Sequence, residues 1–148
     1  MNTVVSGADQ QQQVGSPALR TFALALQLVG VVLWATYLVY LPMPQLFQAE
    51  SALKLAGVVE PGMIFYSLAT AGAAFFVWGR LTHYADEGSI SLQALLKASA
   101  LGMLMLALMR LGTTLFPHGP FQQMLAVPIG EFMVFTIIAV MLQRAASA

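Results

Sequence analysis

Arg110 and Glu131 are the two charged side chains that fall well inside long apolar runs of this 148-residue chain. Ionisable groups in apolar surroundings are costly, which makes them functional candidates and makes pairing the first expectation. Counting along the chain compares their depths. Arg110 precedes Phe116 by six residues, and Glu131 follows Met124 by seven. At 1.5 Å per residue they lie about 9 and 10 Å from the near ends of two helices. The turn Pro117-His118-Gly119-Pro120 joins those helices as an antiparallel hairpin, so guanidinium and carboxylate share one level. An Arg110–Glu131 ion pair is the expectation.

Other polar residues fall at that level. Tyr66, Ser67 and Thr70 lie in the near half of a second apolar run, and Thr36 and Tyr37 lie near the end of the first. Thr113 and Thr114 stand one helical turn from Arg110, with Glu60 and His118 at the rim. The expected cluster is therefore Tyr37, Tyr66, Ser67, Thr70, Thr113 and Thr114 around the charge pair. Two readings compete. In the first, the hydroxyls bond backbone carbonyls and the ion pair fixes helix register. In the second, the cluster is a pocket for an anion, a lipid headgroup or a transported solute. The structural reading is preferred, because hydroxyls are common in membrane helices.

The remaining chemistry-bearing residues offer less. His83 and His118 fall at opposite ends of the expected bundle, so they cannot jointly hold a haem or a metal, and both read as loop histidines. Met103 and Met105 point to different helix faces and form no copper(I) site; methionine here reads as apolar packing. Asp86-Glu87 reads as a solvated turn. The chain has no cysteine, which excludes disulfides, thiolate zinc, iron–sulfur clusters and thiol redox chemistry. No catalytic residue, metal site or cofactor is expected, and the protein reads as a non-enzyme.

Positioning these residues requires four apolar stretches, Thr21–Leu41, Gly62–Gly79, Ala98–Phe116 and Met124–Leu142. Each is long enough for a hydrocarbon layer about 30 Å thick, which takes about 20 helical residues. The chain is 59% hydrophobic and 8% charged, against about a quarter charged in a soluble domain. The fold class expected is all-α, an integral membrane four-helix bundle, formed by residues 17–148 as one domain. Residues 1–16, rich in Gln, Gly and Ser, read as a disordered cytoplasmic tail. The first apolar run is too long for a secretory signal and reads as a retained helix. Leu46–Val58 is too short to span and reads as a short interfacial helix. The second helix is expected to end near Trp78-Gly79-Arg80, and its small-residue run Ala69–Ala74 allows close helix approach. Ser91 is the expected N-cap of the third helix, beginning at Leu92, and Pro128 with Gly130 predicts a kink in the fourth.

Formal net charge is zero and no basic patch is present for nucleic acid. Arg20, Arg80, Lys97 and Arg144 fall on one side of the expected bundle and Lys54 on the other, which places both termini in the cytoplasm. A bacterial cytoplasmic membrane is the expected location. The bilayer is one partner; another membrane protein or a second copy of the chain is the other that the composition admits.

The stretch Glu87-Gly88-Ser89-Ile90-Ser91-Leu92, followed by Leu95-Leu96 and Gly102, resembles a family of small bacterial four-helix membrane proteins classed as a domain of unknown function. The resemblance implies four spans and no known activity. Because such genes often lie near small helix-turn-helix regulators, it also implies a sensing or regulatory role. The leading expectation is a regulatory or accessory component acting through intramembrane contacts. The alternative is a small transporter or channel subunit with the polar cluster as its site.

The topology is testable with cysteines introduced singly at Ser6, Ser51, Ser89 and Ser147. Only the cysteine at position 51 should react with an impermeant thiol reagent added to intact cells; labelling at 89 or 147 would overturn the orientation.

Overall fold

A computed structural model describes residues 17–47, 61–88 and 90–147. It contains α1 (Pro17–Tyr40), α2 (Pro61–Asp86), α3 (Leu92–Leu115) and α4 (Ala126–Ala145), with 3₁₀ turns at Pro44–Leu46 and Gly119–Gln122. Among the described residues there is no strand, and all four helices are long and apolar enough to cross a membrane. The fold is an all-α four-helix bundle. The C-terminus of α1, the N-terminus of α2 and the α3–α4 turn lie at one end, the hairpin end; the opposite end is the terminal end.

The helices associate as two tight pairs. α1 packs along α2, α3 packs along α4, and the pairs meet mainly where α2 faces α3. The α1–α2 pair is close because the seam lacks side chains. Ala23, Gly30 and Tyr37 recur at seven-residue spacing on α1, as do Gly72, Gly79 and Asp86 on α2, and all six are buried. A Cβ on Gly30 would stand 2.6 Å from the Gly72 carbonyl oxygen, one on Gly72 would stand 2.6 Å from that of Gly30, and one on Gly79 would stand 2.7 Å from that of Ala23. At that separation Gln27 Nε2 reaches across to the Gly79 carbonyl oxygen at 3.3 Å while also donating to its own helix at Ala23. Trp34 Nε1 donates to the Met105 carbonyl oxygen at 2.8 Å, tying α1 to α3. The core lies toward the hairpin end and comprises Tyr37, Tyr40, Leu41, Ala69 and Met109. Met109 is fully buried apolar filling.

The start of α3 follows the sequence expectation: the Ala94 N–H donates to Ser91 Oγ at 3.1 Å. Several boundaries differ. α2 does not stop near Gly79 but continues to Asp86. Hydropathy falls there, yet the helix persists because its polar residues bond along it: Arg80 Nη2 donates to Tyr84 Oη at 2.6 Å, and His83 Nε2 lies 3.2 Å from Glu87 Oε1. Gly88, at φ 65°, ends it in the left-handed conformation that glycine adopts without penalty. Asp86 is therefore no solvated turn residue. Its side chain is 1% exposed and faces Arg20 Nε at 3.6 Å, because it continues the buried seam of Gly72 and Gly79. α4 begins at Ala126, two residues after Met124, and Pro128 is its third residue. Amides in the first helical turn have no intrahelical acceptor, so this proline removes no bond and gives no cause for the expected kink. Of the segment Leu46–Val58, only Leu46 and Phe47 are described, and Leu46 ends a 3₁₀ turn; the interfacial-helix expectation and the tail 1–16 lie outside the described residues.

Two outward surfaces are apolar. Leu24, Leu28 and Val32 are exposed on α1, and Met133, Ile137 and Met141 on α4. α4 buries little of itself, with only Pro128 and Ala139 covered.

The glycine seam carries a prediction. Gly30→Ala forces a methyl group into backbone, and overpacking of this kind costs about 1–3 kcal/mol. Around Gly130 nothing lies within 4 Å of an added Cβ. Thermal unfolding in detergent should show a lower midpoint for Gly30→Ala, and an unchanged or higher one for Gly130→Ala, where removing a helical glycine gains about 0.5–1 kcal/mol. Equal midpoints would contradict the close approach.

Candidate functional site

Three helices bring one residue each to a common level. Tyr66 lies five residues from Pro61, Arg110 five from Leu115, and Glu131 five from Ala126. Each is thus about 7.5 Å along its helix from the hairpin end. The short turn keeps α3 and α4 adjacent, and Arg110 Nε lies 2.9 Å from Glu131 Oε2. The Tyr66 ring covers the guanidinium carbon at 4.4 Å, and the Phe135 ring lies 6.0 Å away. A cation over an aromatic face is attracted by the ring quadrupole, so Tyr66 attracts the guanidinium as well as shielding it.

The pair is asymmetric. The Arg110 side chain is 10% exposed and that of Glu131 38%. Although Nε and Oε2 are close, neither makes an aligned hydrogen bond, and Arg110 Nη1 is also buried without one. A guanidinium carries five N–H donors, so Coulomb attraction is satisfied here while much hydrogen-bonding capacity is not.

Above this level, toward the hairpin end, lies a second polar group. Tyr37 Oη is 2.8 Å from Thr113 Oγ1 and 3.4 Å from His118 Nε2, and Thr113 Oγ1 donates to the Met109 carbonyl oxygen at 2.9 Å. His118 stands edge-on to Tyr37, Tyr40 and Phe121, with ring centroids 5.7, 6.2 and 5.8 Å away. It fits against α2 where Gly62 has no side chain. A cavity of about 310 Å³, lined among others by Tyr40, Pro44, His118 and Gln122, opens beside it.

The residues expected in the cluster thus separate. Tyr37, Tyr66 and Thr113 gather with Arg110 and Glu131. Ser67 and Thr70 are exposed and donate to their own helix, at Met63 and Tyr66. Thr114 donates to the Arg110 carbonyl oxygen at 2.9 Å, and Thr36 to that of Val32 at 2.7 Å. A hydroxyl one turn along a helix reaches its own i−4 carbonyl before it reaches a neighbour. His118, expected only at the rim, is half-buried against three aromatic rings. Phe121 is local to the turn, but the contacts with Tyr37 and Tyr40 depend on α1 and have no mark in the local sequence. Asp86 had a sequence signal: it continues the seven-residue spacing of Gly72 and Gly79.

Among the described residues no group of three His, Cys, Asp or Glu side chains could hold a metal ion. The arrangement can bind helices to one another and present a buried cation beside a half-exposed carboxylate. Comparison with protein families, curated proteins and solved structures finds no match to this chain.

The ion pair is tested by a double-mutant cycle. Removing one partner strands a charge, at a cost of about 3–5 kcal/mol for buried pairs. Arg110→Leu and Glu131→Leu should each lower the unfolding midpoint in detergent. The double variant should recover much of the loss, the mark of coupled residues. Losses that simply add would mean that the two groups act independently.

Proposed function

We propose that this chain is an integral membrane protein of the bacterial cytoplasmic membrane, with both termini in the cytoplasm. In this reading it is a non-enzymatic regulatory or accessory component that acts through contacts its helices make within the bilayer. The resemblance of the Glu87–Gly102 stretch to small four-span bacterial proteins points the same way.

The observation that carries the reading is the disposition of α4. Of its polar residues, Glu131 faces Arg110 and Thr136 bonds its own backbone at Phe132, while Gln143 and Arg144 are exposed near its C-terminal end. Its outward face presents Met133, Ile137, Val140 and Met141. Flexible methionine beside branched aliphatics makes an adaptable apolar surface, suited to another membrane helix. The internal polar contacts, Gln27 to Gly79 and Trp34 to Met105, are spent on helix association, so they support a scaffold more than a reaction centre.

The reading is tested with a photoreactive amino acid placed at Ile137 in native membranes. One discrete cross-linked species, a second copy or one other membrane protein, is expected, and the same probe at Leu28 on α1 should give a different pattern. Lipid adducts alone at Ile137 would overturn the contact role.

A further inference from the structure

Toward the terminal end, α3 and α4 leave a groove between them of about 440 Å³. Ala100 and Ala139 form its floor; both are buried, and neither has a side chain long enough to fill the space above it. Leu101 and Leu104 on α3 and Val140 on α4 form its walls, and all three are exposed. Arg144 and its neighbour Gln143 border the end nearest the helix termini. From Ala139 to Arg144 the groove follows α4 for about 7.5 Å. One leaflet is half of a hydrocarbon layer about 30 Å thick, so the groove covers roughly half the depth of a leaflet.

The polar end of this groove is cationic. Gln93 Nε2 donates to the Ala146 carbonyl oxygen at 2.8 Å, which sets the register of the two helices there. Counting inward from that bond, Lys97 lies four residues along α3 and Arg144 two along α4, so their levels differ by about 3 Å. Lys97 stands three and four residues before Ala100 and Leu101, which places it on the side of α3 that borders the groove. Both side chains are exposed. Among the described residues neither has a carboxylate at ion-pair distance, because Asp86 faces Arg20, Glu87 faces His83 and Glu131 faces Arg110. Two unpaired cations therefore stand at one end of an apolar slot.

That combination narrows the occupant. A free anion meets the cations but leaves the apolar floor and walls uncovered. A membrane helix, about 10 Å across, rests on the leucine and valine walls rather than entering between them. An acyl chain is a single file of methylenes and enters. Charge selects the head: a zwitterion brings an ammonium of its own to two cations, whereas an anionic head brings the charge that they lack. Lysine and arginine lay their methylene stems along apolar surface and hold the charged group at headgroup level, and basic pockets between membrane helices suit anionic heads. We infer that the α3–α4 groove binds an anionic phospholipid, with one acyl chain over Ala100 and Ala139 and the phosphate between Lys97 and Arg144. The site rests on the chain crossing a membrane and on nothing in the contact role of α4. Ile137, where that role is read, does not line the groove.

Native mass spectrometry of the delipidated full chain tests the site, with phosphatidylglycerol, phosphatidylethanolamine and phosphatidylcholine offered at equal mole fraction. Retention of phosphatidylglycerol should exceed that of the other two by about tenfold, the scale of one charge-assisted hydrogen bond. The double variant Lys97→Gln, Arg144→Gln should abolish the preference. Val140→Phe, which keeps both cations and fills the groove from an exposed wall, should abolish it too. If Val140→Phe fails to fold, as circular dichroism and gel filtration will show, Leu101→Phe fills the groove from the opposite wall and takes its place. Equal retention of the three lipids by the wild-type chain would overturn the site, and with discrete cross-linking at Ile137 it would leave the contact role standing. A preference unchanged in the double variant, or in the phenylalanine variant, would also overturn it; in the second case the lipid answers to surface charge alone. Displacement of the lipid by inorganic phosphate at millimolar concentration would overturn the amphiphile, and a lipid-free dimer would give the groove to a second copy of the chain.

Discussion

The backbone contact between α1 and α2 is the constraint on which the rest of the structure hangs. Gly30 and Gly72 face each other's carbonyl groups, and neither position has room for a methyl group. Without a hydrophobic drive between helices in lipid, such contact rests on dispersion at short range, which falls away quickly with distance. Closeness here has consequences at the hairpin end. It brings Tyr37 to the edge of Tyr66, with ring centroids 5.9 Å apart, and lets the Tyr37 hydroxyl reach Thr113 on α3. It also places Tyr66 over the guanidinium of Arg110. The aromatic cover of the buried charge is thus set by residues that have no side chain, about two helical turns away.

α4 is attached differently. It lacks an equivalent glycine seam, and Gly130 faces open space. Its fastening points are polar and lie near its two ends: the Arg110–Glu131 contact toward the hairpin end, and Gln93 Nε2 donating to the Ala146 carbonyl oxygen at 2.8 Å just beyond its C-terminus. Between them α3 and α4 meet through small buried residues such as Ala100, Ala107 and Ala139. A helix held at two points and otherwise lightly covered is the element whose position responds most to a change at either point.

Much of this was legible in the sequence, and the reason is periodic. Four apolar runs of spanning length define the helices, and the depth of Arg110 and Glu131 follows from counting residues to a turn. Ser91 announced its helix because a cap is a local device. What escaped was what depends on another helix. Hydropathy ended α2 at Gly79, but Asp86 stays helical and lies buried opposite Arg20 on α1. His118 lies in the Pro117–Pro120 turn beside Phe121, and only the fold brings Tyr37 and Tyr40 to it. Ser67, Thr70 and Thr114 were expected to serve the charge pair because they share its level; level is a one-dimensional coordinate, and it does not tell which way round its helix a hydroxyl points.

The contacts around Thr113 impose a sense of direction. A hydroxyl has one hydrogen to give, and that of Thr113 goes to the Met109 carbonyl oxygen. Tyr37 must then give its own hydrogen to Thr113, so the tyrosine oxygen faces His118 Nε2 as an acceptor. On the other side of the ring, His118 Nδ1 lies 3.4 Å from the Phe116 carbonyl oxygen, which can only accept. Both nitrogens look toward lone pairs. The polarity of a main-chain carbonyl inside α3 is thereby passed, through two hydroxyls, to the face that Tyr37 offers a histidine in the turn outside it.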